Sequence, residues 1–209
     1  MKRIISFITL LSLILTLSAC GSKSTSSDGK NYKHDVKVTK LASKGRIPEV
    51  DVVLGDPVDG VKDYLFEKAS GKTYEEFQEE LKEANVQADY SAYITTQEMN
   101  GHTILSTIYD KHKEVYCMYT NGRETDEIGA IAIKGEAYGY DTATLKDFIV
   151  NTIDAEYTEI TEDSELNFLP NVTDGGSGIS YNFGSYTLEF YFSQYDTLSA
   201  TVIYDTTVW

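Results

Sequence analysis

"LGDPVDGVKDYLFEKA", residues 54–69, is answered 84 positions later by "YGYDTATLKDFIVNTI", residues 138–153. Gly55 aligns with Gly139, Val61 with Leu145, Lys62 with Lys146, Asp63 with Asp147, Tyr64 with Phe148 and Leu65 with Ile149. Further on, Asp126, Ile128, Ala130 and Ile133 are matched by Asp196, Leu198, Ala200 and Ile203 at an offset of 70. Two matches in the same order predict a plan built twice. The fall in offset predicts a shorter middle in the second copy.

Within the first copy, Val61, Tyr64, Leu65 and Ala69 follow helical spacing, with Asp59 placed to cap the helix and Gly71 to end it. Thr73-Tyr74-Glu75-Glu76 has the spacing of a capping box, and Phe77, Leu81 and Ala84 then share one face of a second helix. Alternation of period two follows in "YSAYITTQEM" (90–99), "HTILSTIYD" (102–110), "KEVYCMYT" (113–120) and "EIGAIAIKG" (127–135). Asn100-Gly101 and Asn121-Gly122 mark tight turns between antiparallel strands. After an acidic connector, "GISYNFG" (178–184), "SYTLEFYFS" (185–193) and "LSATVIYD" (198–205) repeat the strands. The expected fold is α+β, two tandem helix-then-meander repeats over 45–134 and 135–209.

Upstream of the repeats the chain changes character twice. Lys2 and Arg3 precede an apolar run from Ile4 to Leu17, too short for a hydrocarbon core of about 30 Å that needs roughly 20 residues. It reads as the centre of a secretory signal. The run ends in Leu17-Ser18-Ala19-Cys20, which resembles the lipobox of bacterial lipoproteins. That resemblance implies cleavage after Ala19, a diacylglyceryl group on Cys20, and a protein held on the outer face of the cytoplasmic membrane. Two acyl chains anchor stably where one holds only marginally, each buried methylene contributing about 0.8 kcal/mol. Residues 20–44 are polar at first and are expected to form a flexible tether reaching roughly 25–30 Å.

The chain carries 33 acidic and 18 basic residues, a net charge of −15. Such a surface is repelled by phosphate backbones and anionic head groups, so no nucleic-acid partner is expected. Besides Cys20 there is only Cys117, inside "VYCMY", which reads as a half-buried strand residue. His34, His102 and His112 are scattered, and no nucleophile motif stands near them. Glu75, Glu76, Glu79, Glu80 and Glu83 read as a solvated helix face, and Asp56, Asp59 and Asp63 lack the pattern of a calcium loop. "NVTDGGSG", residues 171–178, reads as a loop. No catalytic residue, metal or cofactor is expected.

Helix then meander, twice, resembles the tandem fold of beta-lactamase-inhibitor-like proteins. Gly55-Asp56-Pro57 and Tyr186 to Phe192 carry a further resemblance, to Gram-positive lipoproteins of the DUF4309 type, although Asp141 stands where the second copy would repeat Pro57. What remains for function is a sheet face. Leu188, Phe190 and Phe192, matched by Val115, Cys117 and Tyr119, define one face. Ile128, Ala130 and Ala132 are expected beside them. The opposite face would then gather Tyr116, Met118, Ile131, Ile133, Tyr191 and Ile203, a composition suited to recognising an envelope protein or peptide. A non-catalytic binding module is the expectation; the alternatives are a cell-envelope hydrolase or a solute-binding lipoprotein of a transporter.

Overall fold

Apolar residues spaced i, i+3, i+7 and i+8 wind residues 58–70 into a helix and turn one stripe inward. In the computed structural model this is Val58–Ser70, with Val58, Val61, Leu65 and Phe66 buried. The described residues are 36–48, 50–110, 113–120, 126–135, 140–153, 155–160 and 177–207, all within the unit Val36–Trp209. A shorter helix, α1 (Val36–Ala42), precedes this one, α2. It occupies a span expected to be tether, because Val38, Leu41 and Ala42 form their own apolar stripe, with Val38 and Ala42 fully buried. Helix α2 ends as expected at Gly71, whose φ of 75° is left-handed and whose N–H reaches the Glu67 carbonyl. Asp59 is not its cap. Pro57 holds that position without a side-chain bond, while Asp59 sits in the first turn 3.7 Å from Lys62.

Helix α3 (Tyr74–Ala84) opens on the expected capping box: Thr73 Oγ1 accepts the Glu76 N–H, and the Glu76 carboxylate accepts the Thr73 N–H at 2.9 Å. None of its residues is fully buried; Phe77 and Leu81 are half-buried and Ala84 is exposed. A 3₁₀ turn at Tyr90–Ala92 then stands where a strand was expected, started by Asp89 accepting the Ser91 N–H at 2.9 Å.

Eight strands follow: β1 (Thr95–Met99), β2 (His102–Asp110), β3 (Lys113–Thr120), β4 (Ile128–Gly135), β5 (Thr158–Ile160), β6 (Ser177–Asn182), β7 (Tyr186–Phe192) and β8 (Leu198–Asp205). Helix α4 (Lys146–Thr152) lies between β4 and β5. All strands join one antiparallel sheet in the order β1-β2-β3-β4-β8-β7-β6-β5. Asn100 and Gly101 both take positive φ, 52° and 84°, as a two-residue hairpin turn requires. The short β5 falls in the acidic connector, where no strand was expected. The fold is therefore α+β, with its helices on one side of the sheet. Tyr140 packs between Phe148 of α4 and Phe190 of β7, and a Cβ at Gly45, just past α1, would meet Tyr186 of β7 at 3.2 Å.

Two β-bulges decide which side chains share a face. Met118 pairs with Ala130 but Tyr119 with Ile128, leaving Gly129 extra; Tyr191 pairs with Ala200 but Phe192 with Leu198, leaving Ser199 extra. An extra residue reverses the in-out parity of everything beyond it. The helix-covered face holds Val115, Cys117, Ile131, Ile133, Leu188, Phe190 and Ile203, while Ala130 and Ala132 lie on the other. Strict alternation counted from Ile128 assigns Ala130, Ala132, Ile131 and Ile133 to the wrong sides.

Candidate functional site

The six residues expected to share a recognition face are split between the two. Tyr116, Met118 and Tyr191 lie on the face away from the helices; Ile131, Ile133 and Ile203 lie in the core beneath them, moved there by the bulges. All six are buried, none being more than 7% exposed. On the far face, Tyr116, Met118 and Tyr191 cluster with Ile104, Val202 and the small residues Ala130, Ala132 and Ala200.

That cluster contains a carboxylate. Glu189, 3% exposed, accepts the Tyr191 hydroxyl at 2.6 Å and the Tyr204 hydroxyl at 3.0 Å. Burial raises its proton affinity above the ordinary glutamate value, and these hydroxyls, with Ser180, partly oppose the rise. Tyr204 is pushed up in turn, by burial first and then by Glu189. Tyr204 therefore stays a protonated donor, and with Tyr191 and Glu189 it forms a fixed polar island. Alternation alone puts Glu189 and Tyr191 on one face; what it lacks is Tyr204, brought over by the second bulge.

A second arrangement is open to solvent. Helix α2 contributes Asp63 and Glu67, the start of α3 contributes Thr73, Tyr74, Glu75 and Gln78, and the 3₁₀ turn contributes Tyr90, around a cleft of about 520 Å³. Tyr74 and Tyr90 stack face to face, 3.8 Å between centroids and 9° between planes. Behind them Phe66 of α2 meets Tyr74, Phe77, Tyr90 and Tyr93 at 5.1–5.8 Å, which fixes the ring pair from the core side. The Tyr90 hydroxyl donates to Asp63 Oδ1 at 2.5 Å. Burial, then Asp63, raises its proton affinity, so it stays a donor. Period-two alternation over 90–99 places Tyr90 in a strand and so hides this cleft. The signal was Asp89-Tyr90-Ser91, an aspartate two residues ahead of the N–H it caps.

Other chemistry is sparse among the described residues. Cys117 is fully buried, and burial pushes its thiol up to about 12. His102 Nδ1 lies 3.1 Å from Thr120 Oγ1 across the β2–β3 pair. No three His, Cys, Asp or Glu side chains among the described residues stand close enough to share a metal ion. No described helix is long and apolar enough to cross a membrane. Cys20, the cleavage point after Ala19, His34, His112, the Asn121-Gly122 turn and most of the 171–178 loop lie outside the described residues. Comparison with protein-family models, with curated proteins and with solved structures finds no match.

Proposed function

We propose that the chain is a lipoprotein of the bacterial envelope, anchored through Cys20, and that its α+β body is a doubled scaffold bearing one recognition element. The order of charged start, apolar run, small residues and cysteine supports the anchor. Duplication is supported by registers that recur. Pro57 and Leu145 both precede a helix, and they bridge to Glu127 and Thr197. The turns Asp56 N–H to Val53 O and Thr144 N–H to Asp141 O lie at the same spacing, 145 − 57 = 144 − 56 = 88. That is one helical turn beyond the 84 of the sequence match, a shift that rotates the stripe by only about 40°. The bulges recur too, at Gly129 and Ser199, 70 apart.

At the centre, Ala132 of β4 pairs with its own counterpart Val202, while Ile131 pairs with Ile203 and Ile133 with Thr201. Ile131 thus pairs with the counterpart of Ile133, and Ile133 with the counterpart of Ile131, the pattern of a local two-fold axis. Against this scaffold α3 and the 3₁₀ turn have no equivalent among the described residues: α4 is followed by β5 after a few residues, whereas α2 is followed by α3, the turn and only then β1. Function is grafted on folds at such additions. The observation that carries the binding reading is that this added segment builds the tyrosine-walled cleft.

The test is photocrosslinking in the membrane-anchored chain on intact cells, from a benzophenone side chain at position 75 and, as control, at the exposed Tyr195. A discrete partner captured at 75 and absent at 195 is the expected result; equal capture or none at both positions would remove the reading. For the anchor, labelled palmitate should enter the wild type and not Cys20→Ser.

A further inference from the structure

The cleft has a chemical bias that narrows what it holds. Among the described residues its walls carry three carboxylates, from Asp63, Glu67 and Glu75, and no cationic side chain. Its ring pair offers the electron-rich faces and edges of two tyrosines, half-buried and locked by Phe66 behind and by Asp63 at the hydroxyl. The carboxylates are not grouped as ligands for a metal ion. Dispersed negative charge beside a fixed aromatic wall favours a delocalised organic cation over a hard ion. The outer surface of α2 already holds such a contact within the chain, Lys68 Nζ lying 5.4 Å from the Tyr64 ring centroid.

Resting on the recognition role given to this cleft, we propose that it seats an arginine side chain of a basic partner segment, the guanidinium against the Tyr74–Tyr90 pair and within reach of Glu67 and Glu75. The size fits, since about 520 Å³ lies within the range of roughly 300–1,000 Å³ usual for ligand clefts and exceeds what one side chain fills. The charge fits as well. A chain of net charge −15 attracts basic segments at long range, and the cleft provides the place where one cation is desolvated against rings. Arginine is preferred to lysine because its planar head stacks on a ring while its edge still donates to carboxylates.

The experiment uses the full chain purified in detergent and a fluorescein-labelled tetra-arginine amide, with tetra-citrulline amide as its uncharged isostere. Anisotropy should show saturable binding of the arginine probe that weakens with salt, and none of the citrulline probe. Tyr90→Phe should keep the affinity, and Tyr90→Leu should weaken it about two- to fivefold, as should Glu67→Gln with Glu75→Gln. The control is Glu79→Gln with Glu83→Gln, which changes the charge equally on the exposed face of α3. Equal weakening by this control would reduce the effect to general acidity and overturn the proposal. So would binding of the citrulline probe, or no binding at all. A partner crosslinked at position 75 that presents no basic segment would overturn the arginine assignment while leaving the recognition role intact.

Discussion

Glu189 is an ionisable group on a buried sheet face, and its position makes a prediction about pH. Its folded-state pKa is raised, so the folded protein binds the proton more tightly than the unfolded chain does. Below the unfolded glutamate value, about 4.3, both states are protonated and there is no penalty. As pH rises from there through the raised folded value, the penalty grows, and above that value it stays constant. Glu189→Gln keeps an acceptor for the tyrosines and cannot ionise, so its stability relative to wild type should climb with pH across that window. Urea midpoints measured over a pH series test this; a relative stability that falls with rising pH would contradict it. Cys117 gives a second expectation at this scale. A fully buried thiol held near 12 should ignore Ellman's reagent in the folded protein and react only on global opening, with a rate that follows unfolding.

Among the described α-helices, α3 is the one held least firmly, since it buries no residue fully and depends on its first turn and the rings at Phe66. Thr73→Ala removes the capping box and should cost about 1 kcal/mol, seen as fraying of α3 in amide exchange. Gly71→Ala meets no atom within 4 Å, so its cost comes from the left-handed backbone alone, about 1 kcal/mol. Gly71→Asn should cost less. A thermal shift the same for both variants would locate the strain elsewhere. Strand spans were well legible in the sequence: 102–110, 113–120 and 198–205 are strands over their full length, since alternation is a local property. The cap at Thr73 and the stop at Gly71 are local too. Face assignment failed beyond Gly129 and Ser199 because a bulge has no signature in hydrophobicity. The tyrosine cleft escaped notice because Phe66, Tyr74 and Tyr90 meet only when α2, α3 and the turn fold together. Helix α1 was hidden by the polar stretch before it.

At the scale of the whole molecule, the two halves lie side by side in one sheet and share the β4–β8 seam, with Ala132, Ile131, Val202 and Ile203 at most 1% exposed. Opening the seam would expose both halves, so neither should unfold ahead of the other. Native-state hydrogen exchange should give the slowest amides of β3 and β7 the same opening free energy. A clear gap between the two strands would mean that the halves open independently.

Helix α1 and the residues just after it contact β7, so the first of the described helices docks on one of the last strands to be made. Synthesis delivers β7 and β8 long after α1. Helix α1 must wait for them, which makes completion of the fold a late event, open throughout that delay to proteases and holding chaperones.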